Sequence, residues 1–229
     1  MRVIAFISPK GGAGKTTAAL VLGLGLAERG FRVAMIDGDP NKPLLEWSGL
    51  PSRPPQVTVH PAPTLADVRD VYRHLRRLEP DWTILDTEGS VTGALAFTAV
   101  RADLVLTPLA GSQLEAAQAI KAAEMVRAFG HRGGRAIPHR CLLTRIPAAI
   151  RPRALKVIVD KLRGQQIEFL PTALVEKEAF RALFALGGGF ANVEANAVSG
   201  VPAARTNAAA YLDAVLEIVG FDRPQRASA

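Results

Sequence analysis

The sequence predicts an α/β protein with a single, mostly parallel, twisted sheet that carries helices on both faces. Apolar segments of strand length alternate with segments of helix length along the 229 residues, a pattern typical of successive βαβ units. Right-handed crossovers between parallel strands then cover both faces of the sheet. With 48% hydrophobic residues, the chain should form one domain over residues 1–220 and a short frayed tail over residues 221–229.

The predicted strands are short apolar runs that end in turn residues or acids. The Pro-rich stretch Pro51–Pro63 resists regular structure and should flank a short edge strand. The strands we predict are Arg2–Ser8, Arg32–Asp37, Val57–His60, Trp82–Asp86, Leu104–Pro108, Arg140–Thr144 and Glu168–Pro171.

The predicted helices fill most of the segments between these strands, where apolar residues recur at helical spacing. The glycines of Gly187–Gly189 should end one of them, since glycine weakens helices and favours turns. The helices we predict are Lys15–Arg29, Leu65–Leu78, Val91–Val100, Leu114–Phe129, Arg153–Arg163, Lys177–Ala185 and Ala204–Ile218.

Composition excludes several classes of protein. The single cysteine, Cys141, cannot form an internal disulfide or a cysteine-only metal site within one chain, so we expect a cytoplasmic protein. The first apolar stretch is too short for a signal peptide or a membrane span. The C-terminal sequence AVLEIVGFDRPQRASA lacks the opposed basic and bulky apolar faces of a membrane-binding helix. We therefore expect no membrane partner.

A glycine-rich segment, KGGAGKTT, follows the first predicted strand and precedes a helix. Glycines let the backbone turn tightly so that N–H groups point at phosphate oxygens, and the helix N-terminus adds its positive dipole end. Lys15 should reach the β- and γ-phosphates, and the Thr16 hydroxyl should ligate Mg²⁺. The alternative is a glycine-rich turn with incidental lysines. The predicted ATP-binding residues here are Lys10, Gly11, Gly12, Ala13, Gly14, Lys15, Thr16 and Thr17.

The spacing of this segment differs from the usual P-loop pattern G-x-x-x-x-G-K-[ST], because Pro9 occupies the place of the first glycine. The pattern K-G-G-x-G-K-[ST]-T fits instead, and the chain here resembles the ParA/MinD family of deviant-Walker ATPases. That resemblance implies that Lys10 is catalytic, reaching across an ATP-bound homodimer to the partner's nucleotide. Such a cation acts as an arginine finger does, where negative charge spreads during phosphoryl transfer. A merely solvated Lys10 is the alternative.

Acidic residues end the second and fourth predicted strands, where parallel sheets bind ligands. The first group is Asp37-Gly38-Asp39-Pro40; its resemblance to the family's D-x-D-P motif implies that Asp39 orients the attacking water and Asp37 lies in the Mg²⁺ water shell. Asp86 closes the Walker B pattern WTILD and should hold Mg²⁺ through water. The family commonly continues with D-x-P-P, whereas this chain continues with TEGS, so Glu88 receives no role.

Two further segments, DPNKPLLEW and LPTALVEKEAFRAL, resemble a small ParA-like subgroup that includes VirC-type proteins of DNA transfer. The resemblance extends over residues 1–220 in layout and is specific at the three nucleotide motifs. It implies that Pro171 and the segment after it line the adenine pocket.

The net charge of +7 is unevenly distributed. From Arg127 to Arg163 there are ten basic residues and one acidic residue, a local net charge of +9. A basic surface without a base-reading motif favours non-specific DNA binding, and an ordinary solvated face is the alternative. Arg145, at a strand end, should face the nucleotide. The predicted DNA contacts are Arg151, Arg153, Lys156, Lys161 and Arg163.

Together these features predict an ATPase that hydrolyses ATP to ADP and phosphate with Mg²⁺, closes a homodimer on ATP and binds DNA non-specifically. The resemblance implies plasmid or chromosome partition or DNA transfer, a nucleoid-associated location, and a ParB-like DNA-binding protein or a conjugation protein as partner. A metabolic ligase or amidotransferase-like protein of the same superfamily, or a MinD-like positioning ATPase, stays open because fold does not fix function.

Overall fold

The computed structural model describes residues 1–8, 12–87, 92–146 and 153–221, without the side chains of residues 92, 153 and 154. Three predicted site residues, Lys10, Gly11 and Arg151, lie outside these ranges. Glu88 and residues 222–229 of the predicted tail also lie outside them. Phe221 is described, and its ring packs edge-on against those of Phe31 and Trp82, with centroids 5.3 and 5.1 Å away.

The described strands form one sheet of seven, in the order β3-β2-β4-β1-β5-β6-β7, and every pairing is parallel. This arrangement, with helices on both faces, confirms the predicted fold class. The edge position of β3 also confirms the short edge strand expected beside the Pro-rich stretch. The strands are β1 Arg2–Phe6, β2 Val33–Asp37, β3 Val57–Pro61, β4 Trp82–Asp86, β5 Leu104–Leu109, β6 His139–Ile146 and β7 Leu174–Val175.

Nine helices occur within the described ranges, and seven of them lie close to the predicted spans. Within these ranges, no helix combines the length and apolar character that a membrane span requires. The helices are α1 Lys15–Glu28, α2 Pro43–Gly49, α3 Leu65–Leu78, α4 Thr92–Ala99, α5 Gln113–Gly133, α6 Arg153–Gly164, α7 Glu178–Leu186, α8 Phe190–Ala195 and α9 Val201–Ile218.

The interior has two apolar layers, one on each face of the sheet, because successive side chains along a strand point to opposite faces. On one face, residues such as Ile4 and Phe6 pack against α1, α2, α7, α8 and α9. On the other, Val3 and Ala5 pack against α3, α4 and α5, and Cys141 packs against α5 and α6. The nucleotide motifs therefore sit at the end of a sheet that is buried on both sides.

The predicted strand Glu168–Pro171 is wrong. The chain makes a single bridge between Phe169 and Cys141 there, and Pro171, which has no N–H to donate, follows directly. Pairing with β6 resumes at β7, beside Thr144 and Ile146. The segment is thus a connection that runs beside β6 before it reaches β7.

Two helices were not predicted. Helix α2 starts with a proline in its first turn, after Lys42 with φ 50° and no side-chain cap, and helix α8 has six residues. The two are connected through Trp47 of α2, whose Nε1 donates to the carbonyl oxygen of Gly188, 3.2 Å away, just before α8. The turn Gly187–Gly189 does end α7, as predicted.

Replacement of Gly187 should destabilise the fold more than replacement of Gly134, although both follow the C-terminus of a helix with φ near 70°. A Cβ on Gly187 would lie 2.5 Å from Leu50 Cβ and 2.9 Å from Pro51 O, whereas one on Gly134 meets nothing within 4 Å. Gly187 also has ψ −174°, a region that residues with a Cβ avoid. We expect Gly187→Ala to lower the free energy of unfolding by about 3 kcal/mol and Gly134→Ala by about 1 kcal/mol.

Urea denaturation at equilibrium measures both variants. Equal losses of stability would contradict the close packing of α7 against the segment after α2.

Candidate functional site

Three strand ends meet at one level of the carboxyl edge of the sheet. The parallel register aligns Asp86 of β4 with Phe6 of β1 on one side and with Asp37 of β2 on the other. The chain after Phe6 leads into the glycine-rich segment. This alignment brings the two predicted acidic strand ends beside the predicted phosphate loop, at the edge where parallel sheets bind ligands.

The described part of the phosphate loop has the backbone that its glycines allow. Gly12 and Gly14 have φ of 85° and 81°, in the left-handed region where glycine carries no Cβ penalty. Gly14 is the N-cap of α1, and the first turn of α1 contains no acidic residue and no side-chain cap. The first N–H groups of a helix lack intrahelical partners and carry its positive dipole end, so this terminus is suited to an anion such as phosphate.

Asp86 is a buried carboxylate with one oxygen that has no hydrogen-bond partner among the described residues. Only 2% of the residue is exposed, and burial raises its pKa to about 6, a shift that the hydrogen bond from Thr16 and the charge of Lys15 oppose. No described residue bonds its Oδ2 atom. Thr16 thus donates a hydrogen bond to the acid predicted to hold Mg²⁺, and the charge of Lys15 favours the ionised form of that acid.

Asp37 has a structural role that the sequence analysis did not foresee. Its Oδ2 accepts hydrogen bonds from the backbone N–H groups of Leu44 and Leu45, at 2.9 and 3.0 Å, and its Oδ1 accepts one from the N–H of Asp39 at 3.2 Å. Burial raises the pKa of Asp37, while these backbone donors oppose the rise. Asp37 therefore caps α2 from the end of β2, and its place in a Mg²⁺ water shell stays a prediction.

Asp39 lies in the loop between β2 and α2, where it lines a cavity beside the phosphate loop. Its Oδ1 accepts a hydrogen bond from the N–H of Asn41 at 2.8 Å, and its carbonyl oxygen accepts one from Lys42 at 2.9 Å. The side chain is therefore held beside the cavity by a hydrogen bond within its own turn. This position suits a residue that orients a water molecule.

The end of β6 braces the phosphate loop from the other side. The Thr144 hydroxyl donates to the carbonyl oxygen of Ala13 at 2.8 Å, and the Arg145 guanidinium donates to that of Gly12 at 2.9 Å. Arg145 has φ 55°, an uncommon conformation for a residue with a side chain. The sequence suggested that Arg145 faces the nucleotide, but the bracing by Thr144 had no sequence signal, because it depends on the packing of β6 against the loop.

These elements enclose a cavity of about 350 Å³, within the size range of small-ligand sites. One end is polar and contains Lys15, Thr16, Thr17 and Asp39. The other end is formed by β7 and the start of α7, where apolar side chains could receive a base. The residues at that end are Leu174, Val175, Glu176, Lys177, Phe180 and Arg181.

Not all predicted site residues meet at this cavity. Pro171 is exposed and does not line it, whereas the segment after Pro171 does. Ala13 is a buried residue of the phosphate loop that does not line the cavity, and its carbonyl oxygen accepts the hydrogen bond from Thr144. The predicted DNA contacts Lys156, Lys161 and Arg163 lie exposed on α6, and the backbone of Arg153 begins that helix.

The donor set fits Mg²⁺ bound with ATP. The unpartnered Oδ2 of Asp86 and the Thr16 hydroxyl are oxygen ligands of the kind that Mg²⁺ prefers, and Mg²⁺ usually keeps several waters and phosphate oxygens in its shell. Accordingly, no group of three or more His, Cys, Asp or Glu side chains within the described ranges could hold a metal by itself. Residues Thr16 and Asp86 would hold the ion beside the phosphates.

Comparison with known proteins gives a family and a fold. The model of the VirC1 protein family matches residues 1–221. Protein ParA of Rhizobium radiobacter is 31% identical over 221 residues, 95% of this chain and 97% of its own, and protein virC1 of the same organism is 28% identical over 187 residues, 80% of each. The structure is similar to an ATP complex of McdA from Cyanothece, with a TM-score of 0.74, 18% identity and 99% of each chain covered.

The burial of Asp86 predicts a pH-dependent stability in Mg²⁺-free buffer. Because the pKa of Asp86 is raised from 3.8 to about 6, its contribution to stability is complete below pH 4 and is lost as the pH rises through 6. Asp86→Asn stays neutral, so its stability relative to wild type should rise by about 3 kcal/mol between pH 4 and pH 8.

Chemical denaturation of both proteins with EDTA across this range measures the difference. Adding ATP and Mg²⁺ should stabilise the wild type more than the variant. A difference that does not vary with pH would contradict a buried Asp86 that needs a cation.

Proposed function

The chain belongs to the VirC1 protein family, within the ParA/MinD-type P-loop ATPases, and on that basis we propose that it hydrolyses ATP with Mg²⁺ and binds DNA as an ATP-bound homodimer. Its biological role in this proposal is the partition of a plasmid or chromosome, or DNA transfer. The family membership supports a partition or positioning ATPase.

The observation that carries the proposal is the contact between the phosphate loop and the end of β4. Thr16 hydrogen-bonds a buried Asp86 whose second oxygen lacks a partner in the described structure, and Lys15 lies close enough to oppose the rise of its pKa. A buried carboxylate without full compensation is unfavourable. A divalent cation bound by Asp86 and Thr16 would offset this penalty, so these residues suit Mg²⁺ bound together with phosphate.

Each loop residue has a distinct task in this mechanism. ATP supplies the transferable phosphoryl group, and Mg²⁺ neutralises part of its charge. Lys15, at the start of α1, holds the β- and γ-phosphate oxygens next to the N–H groups of the first turn. Thr16 and Asp86 orient the metal's ligand shell. Asp39, fixed by its turn at the polar end of the cavity, directs a water molecule at the γ-phosphate.

Lys10 provides the dimer step. By its resemblance to the signature lysine of the family, it reaches the phosphates bound to the other subunit and stabilises the charge that develops there. The Arg145 bond to the Gly12 carbonyl and the Thr144 bond to the Ala13 carbonyl support the described part of the phosphate loop, residues 12–14. Their proposed role is to keep the loop in one conformation before ATP arrives, which reduces the entropy lost on binding.

DNA binding follows from charge. The exposed cations of α6, namely Lys156, Lys161 and Arg163, can contact phosphates of either strand without reading bases. A homodimer doubles this surface, and hydrolysis that opens the dimer releases DNA. In this proposal the protein works in the cytoplasm at the nucleoid, with a ParB-like or conjugation protein as its partner.

A metabolic ligase of the same superfamily is less well supported by the geometry. Such an enzyme needs an acceptor pocket beside the γ-phosphate. Two further cavities of similar volume in the described structure lie elsewhere. One, of about 360 Å³, includes Arg127, His131 and Arg135 by the loop before β6, at the end of β6 opposite the phosphate loop. The second, of about 330 Å³, includes Arg29, Phe31 and Leu216, beyond the end of α1 opposite the phosphate loop.

Lys15→Ala should abolish tight ATP binding, because the phosphates lose their main cation. Charge-assisted hydrogen bonds contribute about 1.5–3 kcal/mol each, so affinity should fall by a factor of about 10–100 or more. Equilibrium titration with a fluorescent ATP analogue measures it. Arg29→Ala, which changes a residue just beyond the other end of α1, is the matched control and should bind ATP as wild type does. Unchanged affinity in Lys15→Ala would refute the nucleotide site.

Two further variants should distinguish the loss of ATP-dependent dimerisation from the loss of ATP hydrolysis. Lys10→Ala should bind ATP yet stay monomeric and hydrolyse it slowly, since the cation from the partner is missing. Asp39→Ala should accumulate as an ATP-bound dimer that hydrolyses poorly, since the water is no longer oriented. Size-exclusion chromatography with light scattering, together with phosphate release, distinguishes them. Normal dimerisation and turnover by Lys10→Ala would exclude the sandwich mechanism for this chain.

A further inference from the structure

The two helical layers of the protein carry opposite net charge. Helices α3, α4, α5 and α6, which cover one face of the sheet, contain eleven Lys or Arg and five Asp or Glu, a net charge of +6. Helices α1, α2, α7, α8 and α9, on the other face, contain three basic and six acidic residues, a net charge of −3. The basic segment found in the sequence is therefore only part of a larger surface, which we call the basic layer.

Most cations of the basic layer lack a carboxylate partner. Those of α3, α5 and α6 with described side chains are exposed, and the ion pair within the layer joins Arg73 to Asp70 at 3.1 Å. Within the described structure, six of them form no ion pair, hydrogen bond or ring contact: Arg76, Arg77, Lys121, Arg132, Lys156 and Lys161.

In the opposite layer the arginines are paired with carboxylates, and the remaining cation is Lys15 of the nucleotide site. Arg205 pairs with Glu28 and Glu194, and Arg181 pairs with Glu176 and Glu178. Arg29, which follows α1, pairs with Asp213. The difference between the layers is therefore one of available charge as well as net charge.

Two of the five acidic residues of the basic layer are engaged at helix ends. Asp67 caps α3 together with Thr64, and Glu115 caps α5 together with Ser112. Carboxylates in a first turn interact with the positive helix terminus. Asp70 is already paired with Arg73, and the last turn of α3 presents Arg76 and Arg77 without an ion pair in the described structure.

Arginine side chains between α3 and α4 are also ordered by aromatic rings. Arg101 lies 3.7 Å and Arg69 5.7 Å from the centroid of the Phe97 ring, and Phe97 packs edge-on against Tyr72. Guanidinium groups held on rings keep donors in a fixed plane, which suits bidentate binding of phosphate.

From this arrangement we propose that DNA lies across the whole basic layer, with α3 contributing phosphate contacts through Arg76 and Arg77 in addition to those of α6. This inference rests on the proposed DNA-binding function. Adjacent helices in the layer are in contact, α3 with α4, α4 with α5 and α5 with α6. At 8–10 Å between axes, the layer spans about 24–30 Å, which corresponds to about 7–9 base pairs of duplex.

The chemistry of the layer fits DNA better than a membrane. Three of the exposed large apolar residues lie in it, Leu78, Leu114 and Val157, but each is on a different helix. A membrane-surface helix instead needs a continuous apolar face opposite its cations. Exposed arginines and lysines on separate helices, without a continuous apolar face, suit contacts to the phosphates of a duplex.

The experiment compares three double variants, each of which removes two positive charges. Arg76→Ala/Arg77→Ala tests α3, Lys156→Ala/Lys161→Ala tests α6, and Arg29→Ala/Arg205→Ala removes cations from the opposite side as the control. Alanine favours helix and exposed ion pairs contribute little to stability, so all three should fold, which thermal denaturation verifies. Anisotropy of a labelled 30-base-pair duplex is titrated with ATP and Mg²⁺ at several salt concentrations.

We expect the α3 and α6 variants each to lose at least about tenfold in affinity at 0.1 M salt, and the slope of log K against log salt to decrease in magnitude by about 1.8, at 0.9 for each lost phosphate contact. The control should match wild type. If the α3 variant matches the control while the α6 variant loses affinity, the basic-layer inference is wrong and the proposed function stands.

If wild type fails to bind DNA while dimerising on ATP, both the inference and the proposed DNA binding fail. The same protein is also tested with vesicles of phosphatidylserine and phosphatidylcholine. Binding to these vesicles through Arg76 and Arg77, without binding to duplex, would overturn the inference in favour of a membrane surface.

Discussion

The parallel register of β1, β4 and β2 is the constraint on which the site depends. It sets Phe6, Asp86 and Asp37 side by side, so the phosphate loop and both acidic strand ends emerge at one edge. A shift of one residue would turn the side chains of a strand to the opposite face. The two apolar layers, which take alternate residues from each strand, prevent such a shift, and the buried core thereby fixes the positions of the polar groups.

The two buried carboxylates at this edge, Asp37 and Asp86, differ in how fully their oxygens are hydrogen-bonded. Asp37 satisfies both oxygens with backbone N–H groups and starts α2, so its carboxylate holds a structural element in place. Asp86 has one loop hydroxyl and an unpartnered oxygen, so its compensation is incomplete. Since an unpartnered buried group stores an unfavourable free energy, the site is stable enough to form and still gains from a cation.

Sequence patterns located the elements with strong local signals. The spans Trp82–Asp86 and Leu65–Leu78 agree with the structure, because an apolar run closed by an acid and an amphipathic run after a Thr64–Asp67 capping box define their own ends. Helix α2 had no such signal: it depends on Asp37 rather than on a cap within its own sequence. The prediction for Glu168–Pro171 was wrong because an apolar run did not reveal that pairing stops at Phe169.

The site residues with local sequence signals were predictable, and the contacts between distant segments were not. Glycine spacing and strand-end acids indicated Lys15, Thr16 and Asp86, whereas the bond from Thr144 to Ala13 joins residues far apart in sequence. The basic layer also escaped the sequence, since its cations on α3 and α6 are brought together only by the order of the helices.

A basic layer of this kind need not destabilise the fold. Neighbouring helix axes lie about 8–10 Å apart, and at physiological ionic strength the screening length is about 8 Å. Exposed cations on different helices therefore repel one another weakly in the free protein. A phosphate bound directly to a guanidinium is much closer than the screening length, and binding also releases counterions from DNA. In the proposed function, the layer is thus tolerated when empty and attracts a duplex, and the acidic opposite layer favours binding of the duplex on the basic face.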